Sequence, residues 1–297
     1  MISRAGRISS VLGVWLVAVS ALAQEVSPPS ATDSVRFLAI GDTGTGDGAQ
    51  YQVAAQIAKA RAVFPFTFAI MMGDNLYGSE RPQDYQKKFE TPYKPLLDAA
   101  VEFYAALGNH DDPNQKLYKP FNMNGERFYT FKKGNVRFFA LDSNYFDQTQ
   151  ADWLEKTLAE SKEEWKICFF HHPLYSSGGR HGSEVDLRAQ LEPLFLKYGV
   201  QVVFAGHEHF YERLKPQKGI HYFVNGGGAK LRGGDIRTTT GMTAKGFDTD
   251  RSYMLVEIAG DVLTFQTLSG AGKRVDSGSI RRPDVVESTS ATAATKN

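Results

Sequence analysis

The sequence has few of the features that mark a disulfide-rich, glycosylated or nucleic-acid-binding protein. Cys168 is the only cysteine among 297 residues, so no internal disulfide is possible and a packed core must supply the stability. There is no Asn-x-Ser/Thr sequon, which argues against N-linked glycosylation. The 34 basic and 33 acidic residues leave a formal net charge of +1, without the positive excess that nucleic acids or anionic membranes attract.

Long hydrophobic runs are missing except at the N-terminus. Two arginines precede an apolar run over 11–22, and Ala21 and Ala23 give the small-x-small pattern of a signal-peptidase site. The run is short for a bilayer, so a cleaved signal peptide over residues 1–23 is favoured over a membrane anchor. We therefore expect a secreted or periplasmic protein whose mature chain begins at Gln24 and does not contact a membrane.

The remaining sequence divides into one domain with a polar segment at each end. Residues 24–34 are polar and are expected to form a flexible lead-in, and residues 282–297 are rich in Ser, Thr and Ala and are expected to be disordered. Residues 35–281 contain the apolar patterns and no internal repeat, which predicts a single domain. We expect a monomer.

Apolar strand patterns alternate with amphipathic helices in this domain. Strands are predicted at 35–40, 66–71, 101–107, 128–131, 136–141, 166–170, 200–204, 220–224, 253–258 and 262–268, and helices at 48–62, after Asp147 and at 184–198. The alternation predicts a sheet covered by helices, and two hairpins add antiparallel pairs. We therefore predict an α/β fold, a layered β-sandwich of mixed sheets flanked by helices.

Five polar clusters each follow a predicted strand. They are Gly41-Asp42-Thr43-Gly44, Gly73-Asp74-Asn75-Leu76-Tyr77, Gly108-Asn109-His110-Asp111, His171-His172-Pro173 and Gly206-His207-Glu208-His209. Taken singly, Asp42 could cap the next helix, and the His-x-His pair could belong to a surface loop. Because the carboxyl ends of strands meet at one edge of a sheet, the combined Asp, Tyr, Asn and His side chains predict a metal site.

In this order the five clusters resemble the calcineurin-like metallophosphoesterases over about residues 35–270. Tyr77, three residues after Asp74, makes the chain similar to the purple acid phosphatases, including the small single-domain tartrate-resistant type. The resemblance implies a metallophosphoesterase catalytic domain over 35–281. Thr43 stands where the mammalian branch has Trp, which indicates a different pocket wall beside Asp42.

The resemblance also implies two metal ions. A ferric ion would be held by Asp42, Asp74, Tyr77 and His209, and a divalent iron, zinc or manganese ion by Asp74, Asn109, His171 and His207. His171 is chosen over His172 because the family pattern is His-x-Pro and Pro173 fixes the register; His172 is expected to be structural. Oxygen and imidazole donors suit these metals, and a phenolate stabilises a trivalent ion.

The implied activity is that of an acid phosphatase. The resemblance implies hydrolysis of phosphate monoesters by attack of a metal-bound hydroxide at a dinuclear Fe(III)–M(II) centre, with small phosphate esters as substrates. His110 and His181 match histidines that contact the phosphate and protonate the leaving group. The loop that carries His181 could equally be an ordinary flexible turn, and no role is assigned to Arg180.

Two other functions compete with this interpretation. One is a phosphodiesterase of the same superfamily with two divalent metals. The presence of Tyr77 argues against this function, because diesterases of this superfamily commonly lack that phenolate. The other is a phosphate-binding protein without turnover, but all seven ligand positions and His110 are present. Cys168 in an apolar strand and His221 in another are expected to be structural.

Overall fold

A computed structural model describes residues 25–282 of the chain. The predicted signal peptide, and residues 283–297 of the predicted tail, lie outside the described residues. Residues 25–34 form neither helix nor strand, and β-structure begins at Val35. Within the described range, no helix has both the length and the hydropathy needed to cross a membrane.

The strands, in chain order, have these bounds: β1 Val35–Ile40, β2 Phe68–Met72, β3 Glu102–Ala106, β4 Tyr129–Lys133, β5 Val136–Ala140, β6 Trp165–Phe170, β7 Val202–Ala205, β8 Tyr211–Leu214, β9 His221–Asn225, β10 Thr243–Phe247, β11 Ser252–Ala259, β12 Val262–Ser269 and β13 Arg274–Arg281. They form two mixed sheets, as predicted. The first has the order β13-β12-β11-β1-β2-β3, and the second has the order β10-β8-β9-β7-β6-β5-β4.

Each sheet has parallel strands flanked by antiparallel ones. In the first sheet β1, β2 and β3 run parallel, while β11, β12 and β13 form an antiparallel meander beside β1. In the second sheet β5, β6, β7 and β9 run parallel, and β4, β8 and β10 add antiparallel pairs at the edges. The parallel strands in each sheet therefore present several carboxyl ends to one edge.

The helices are short or lie between parallel strands. The α-helices are α1 Gly48–Val63, α2 Pro82–Tyr85, α3 Lys94–Asp98, α4 Gln148–Glu160 and α5 Val185–Tyr198, with a π-helical segment at Gln86–Glu90 and 3₁₀ turns at Pro113–Leu117, Lys119–Phe121 and Thr238–Thr240. Aspartates cap two of these helices: the Asp47 carboxylate accepts from Ala49 N and Gln50 N, and the Asp147 carboxylate accepts from Gln150 N. The helices predicted at 48–62 and 184–198 are confirmed to within one residue at each end, and the helix predicted after Asp147 begins at Gln148.

The alternation of side chains in the second sheet produces two cores. Phe138 and Phe169 join a core that also contains Phe37 of the first sheet, and the rings of Phe37 and Phe138 meet edge to face at 5.3 Å. Their neighbours Phe139 and Phe170 belong to the other core, with the buried leucines of α4 and α5. Because successive strand residues point to opposite faces, one sheet thus packs against the other sheet and against helices.

Candidate metal centre

The sequence clusters meet at one end of the two sheets. Asp42 follows β1, Asp74 follows β2 and Asn109 lies three residues beyond β3. His171 follows β6, and His207 lies two residues beyond β7. The predicted ligands therefore come from the carboxyl ends of parallel strands in both sheets, which is where α/β folds place their ligands.

The backbone turns sharply at three of these positions. Asp42, Asp74 and His207 have φ angles of 57°, 50° and 68°, in the left-handed region that residues other than glycine rarely occupy. Strained backbone of this kind costs about 1–3 kcal/mol per residue and concentrates at functional sites. Here it turns the chain out of the strand at the residue whose side chain enters the site.

The first group of converging side chains comprises Asp42, Tyr77 and His209. The Tyr77 hydroxyl donates to Asp42 Oδ1 at 3.0 Å and lies 3.3 Å from His209 Nε2. His209 Nε2 is also 3.4 Å from Asp42 Oδ1. Asp74 lies beside them, since one ligand atom each of Asp42, Asp74 and His209 fall within 4.8 Å of one another.

The second group comprises Asn109, His171 and His207. Asn109 Oδ1 lies 2.9 Å from His171 Nε2 and 3.0 Å from His207 Nδ1, and the two ring nitrogens are 3.1 Å apart. Asp74 Oδ1 is 3.5 Å from His171 Nε2, so the Asp74 carboxylate lies near both groups. All seven predicted ligands are brought together.

Hydrogen bonds around the site orient these side chains. His171 Nδ1 is 2.9 Å from the Met72 carbonyl oxygen, which only accepts, so Nδ1 carries the proton and the Nε2 lone pair faces the space shared with Asn109 Oδ1 and His207 Nδ1. The backbone N–H of His207 donates to Asp42 Oδ2 at 2.9 Å, and that of His110 donates to Asp74 Oδ1 at 3.0 Å. Each carboxylate is thereby fixed by the loop of another strand.

Two glycines are required for this close approach. A Cβ added to Gly108 would lie 2.1 Å from Asp74 N and 2.2 Å from Asp74 Oδ1. A Cβ added to Gly226 would lie 2.4 Å from the Glu208 carbonyl oxygen and 2.6 Å from Asp42 Oδ2. The Gly226-Gly227-Gly228 run therefore lies directly against the site.

Burial disfavours the charged forms of both the carboxyl groups and the imidazoles of the site. Burial and the charge of Asp74 raise the pKa of Asp42 well above its usual range. Burial and the charge of His171 lower the pKa of His207 to about 2, and burial and the charge of Arg232 lower the pKa of His209 to about 4. Neutral imidazoles and crowded carboxyl groups form a donor set that a cation stabilises, so these residues fit a metal site.

The two other predicted site residues lie over these groups. The His110 ring is centred 5.0 Å from the Tyr77 ring, and the His181 ring is centred 4.3 Å from that of His207. A cavity of about 370 Å³ opens between them, and it is also lined by Arg180. Its volume is sufficient to admit a small phosphate ester.

Three further residues lie where the sequence suggested structural roles. His172 packs beside the site, with its Nδ1 2.9 Å from Ser143 Oγ and its ring centred 4.5 Å from that of His207. His221 begins β9, at the opposite end of the sheet from the site. Cys168 is buried in β6, and burial raises the pKa of its thiol well above the usual range.

Sequence reasoning missed two acidic residues that organise the loops. Glu208, between the two histidines of the His-x-His pair, is fully buried; its carboxylate accepts from Gly182 N at 2.7 Å and pairs with Arg232 at 3.1 Å. Asp111 accepts from the backbone N–H groups of Asn75 and Gly108, which ties the β2 loop to the β3 loop. Burial and the charge of Asp74 raise the pKa of Asp111 to about 7. Glu208 and Asp111 both lie inside the sequence clusters that supply the predicted ligands, and this position was the sequence signal that could have identified them.

The fold and the donor set together define a metal-dependent hydrolase. Residues 35–211 match the calcineurin-like phosphoesterases, and the chain belongs to this family. Human tartrate-resistant acid phosphatase type 5 is 27% identical in an alignment that covers 88% of this chain and 96% of the human protein. Purple acid phosphatase 17 of Arabidopsis thaliana is also 27% identical, over 72% of this chain and 74% of the plant protein.

A solved structure agrees with these relatives. Purple acid phosphatase PPD1 of yellow lupin superposes with a TM-score of 0.69 at 21% identity, over 86% of this chain and 55% of the lupin chain. The similarity at this identity concerns the fold. The sequence-based resemblance to the purple acid phosphatases is confirmed, and the chain is a metal-dependent phosphatase.

Proposed function

We propose that this protein is an acid phosphatase that hydrolyses small phosphate monoesters at a dinuclear centre. A ferric ion would be held by Asp42, Asp74, Tyr77 and His209, and a divalent iron, zinc or manganese ion by Asp74, Asn109, His171 and His207. Asp74 would bridge the two ions. This assignment gives a role to each of the seven side chains that converge at the sheet edge.

The observation that carries the proposal is the spacing of the donor atoms. Donors that share one ion at about 2.0–2.1 Å lie about 3 Å apart when they occupy adjacent positions around it. The contacts among Asn109, His171 and His207 are 2.9–3.1 Å, and those among Asp42, Tyr77 and His209 are 3.0–3.4 Å. Both groups have the spacing of a coordination shell.

The chemistry of the donors supports the choice of metals. Carboxylate, amide and imidazole donors suit iron, manganese and zinc, and the Tyr77 phenolate suits a trivalent ion. When bound, the two ions would supply a nucleophile from water and stabilise the charge of the phosphoryl group. The protein's own contribution is to hold Asp74 between both donor groups through the His110 N–H.

His110 and His181 are proposed as the residues that contact the substrate. Both rings line the cavity above the donor groups, and neither is predicted to be a metal ligand. A protonated imidazole on either side of the cavity can donate a proton to the leaving alkoxide oxygen.

The proposal also includes cleavage of a signal peptide after Ala23 and export of the mature protein. Sequencing of the mature N-terminus tests this part of the proposal.

The central experiment combines metal analysis, a visible spectrum and paired assays. We expect about two metal ions per chain, one of them iron, with a tyrosinate-to-iron absorption band. Nitrophenyl phosphate should be hydrolysed faster than bis-nitrophenyl phosphate, most rapidly in acid. A colourless protein with two divalent ions that prefers the diester would contradict the proposal in favour of a phosphodiesterase. Tight phosphate binding without turnover of either ester would indicate a binding protein.

A further inference from the structure

Three basic side chains line the cavity above the donor groups: Arg180, Lys230 and Arg232. Arg232 is neutralised locally, because its Nη1 lies 3.1 Å from Glu208 Oε2 and 3.6 Å from Asp235 Oδ2. Within residues 25–282, no carboxylate pairs with Arg180 or Lys230. Two positive charges in the cavity therefore remain available to a ligand.

Lys230 is held in place on the Tyr77 side of the cavity. Its Nζ lies 4.5 Å from the centroid of the Tyr77 ring, within the range of a cation–π contact. The Lys230 backbone N–H donates to the Asp42 carbonyl oxygen at 3.4 Å. Two residues further along the chain, the backbone N–H of Arg232 donates to the His209 carbonyl oxygen at 2.9 Å. The lysine is half-buried, and the segment that carries it is fixed to two ligand loops.

Arg180 lies on the His207 side, in a loop that is tied down at both ends. Gly179 N donates to the Asp235 carbonyl oxygen at 2.8 Å, and Gly182 N donates to Glu208 Oε1 at 2.7 Å. Arg180 is exposed and lines the cavity together with its neighbour His181, whose ring is centred 4.3 Å from that of His207. The two unpaired cations thus flank the proposed centre rather than lie within it.

We propose that Lys230 and Arg180 bind a second anionic group of the substrate, a carboxylate or a phosphate, on the alcohol part of the ester. This inference rests on the proposed function, in which the two metal ions and the histidines bind the phosphoryl group that is transferred. Lys230 and Arg180, which lie beyond the phosphoryl group, would then contact the alcohol part of the ester. An alcohol that carries a second anionic group is attracted to these cations, whereas a neutral alcohol is not. The enzyme would prefer doubly anionic esters.

A matched pair of substrates tests this preference. Phosphoglycolate and ethylene glycol monophosphate differ only in a carboxylate that replaces a hydroxymethyl group. We expect a higher kcat/KM for phosphoglycolate, and a preference that falls about fivefold in Lys230→Gln and in Arg180→Gln, as partly exposed ion pairs are weak. The double variant should lose more, and Lys230→Arg should retain the preference. Lys162→Gln is the control, since this exposed lysine lies at the amino end of β6, away from the cavity.

Competition supplies a second measurement. Methylenediphosphonate should inhibit more tightly than methylphosphonate, and the same variants should reduce that difference. An unchanged preference in the double variant would overturn the inference. Equal losses on both esters in Lys230→Gln, with a shift in the visible band, would assign the lysine to the Tyr77 phenolate instead and also overturn it. Failure of the wild-type protein to hydrolyse either ester would refute the proposed function itself, which separates the two results.

Discussion

At the scale of single residues, the site depends on side chains that ordinary local preferences would not place there. Asp42, Asp74 and His207 occupy left-handed backbone conformations, with φ between 50° and 68°. Asp tolerates this region better than most residues because its short side chain bonds to nearby backbone groups, but a cost remains. That cost is offset only when a ligand binds to the side chains that converge from both sheets.

Tyr77 gives the most direct test of the donor assignment. Tyr77→Phe removes the hydroxyl that lies 3.0 Å from Asp42 Oδ1 and 3.3 Å from His209 Nε2. We expect loss of the tyrosinate-to-iron band, measured by visible absorption, in a protein that still folds. Tyr51→Phe is the matched control, since this exposed tyrosine donates its hydroxyl to the Lys87 carbonyl oxygen, away from the donor groups. A Tyr77→Phe protein that keeps its colour would refute the assignment.

Glu208 is predicted to position the His181 loop rather than to bind metal. Glu208→Ala removes the acceptor of Gly182 N and leaves Arg232 with Asp235 as its remaining carboxylate partner. We expect kcat/KM to fall about 10–100-fold, the usual effect of losing a residue that supports a metal site, with the metal content retained. In a double-mutant cycle, Glu208→Ala should add little to His181→Ala, because both act through the same loop. Fully additive losses, or loss of metal, would contradict this role.

The convergence of the predicted ligands could be foreseen from sequence, and the residues that organise the loops around them could not. Five of these side chains follow strands, so their position alone predicted that they lie at the same end of the sheet: Asp42, Asp74, Asn109, His171 and His207. The role of Glu208 depends on Gly182, which lies 26 residues earlier and reaches it only in the folded chain. No local pattern encodes such a contact.

At the scale of elements, strands with continuous apolar runs were predicted and irregular ones were missed. β8, β10 and β13 read Tyr-Glu-Arg-Leu, Thr-Ala-Lys-Gly-Phe and Arg-Val-Asp-Ser-Gly-Ser-Ile-Arg. β10 and β13 lie at sheet edges, where one side of the strand is unpaired and polar residues are tolerated. β8 is short, and tertiary pairing with β9 and β10 decides its conformation. Strand order likewise depends on long-range pairing.

The cap of α1 gives a prediction at this scale. Partial burial raises the pKa of Asp47, but hydrogen bonds from Thr45, Gln50 and Ala49 outweigh it and lower that pKa. Asp47→Ala should therefore lower the free energy of unfolding by about 1 kcal/mol, the usual value of an N-cap. Urea unfolding at neutral pH measures it. Lys59→Ala, an exposed change in the same helix, should have little effect; an equal effect would argue against the cap.

At the scale of the whole molecule, the segment before β1 is tied to the far side of the first sheet. Glu257 in β11 is buried, with 2% of the residue exposed, and its carboxylate lies close to this segment. It accepts from Ser30 N at 2.7 Å, Ala31 N at 3.1 Å and Ser34 Oγ at 2.7 Å. Burial raises the pKa of Glu257, but these hydrogen bonds outweigh it and hold the pKa below its ordinary value of 4.5. The ionised carboxylate thus stabilises the fold above that pH.

Glu257→Gln should lower the free energy of unfolding by about 2 kcal/mol at neutral pH, because hydrogen bonds to a charged acceptor are lost. Since the folded-state pKa is depressed, the stabilisation by the wild-type carboxylate disappears as the pH falls through that pKa, and the two proteins should converge. Urea unfolding at neutral pH and at a series of acidic pH values below 4.5 measures both effects. Glu160→Gln, an exposed change in α4, is the control. A difference that grows in acid would contradict the argument.

The two sheets meet at the proposed centre, so metal should stabilise the whole fold. Asp42, Asp74 and Asn109 come from the first sheet, and His171 and His207 come from the second. Ions bound only by the folded state add about 2.7 kcal/mol at a hundredfold excess over Kd, and in a domain of this size each kcal/mol changes Tm by about 2–4 °C. Chelation should therefore lower Tm by about 5–10 °C, and added metal should restore it.

The control for this effect is Asp74→Ala, which removes the carboxylate near both donor groups. Its Tm should already be low and should respond little to chelator or to added metal. Thermal unfolding followed by circular dichroism, with metal content measured on the same samples, makes the comparison. If the wild-type protein lost its metal with no change in Tm, the ions would not bind preferentially to the folded state, and a centre assembled from both sheets would be refuted.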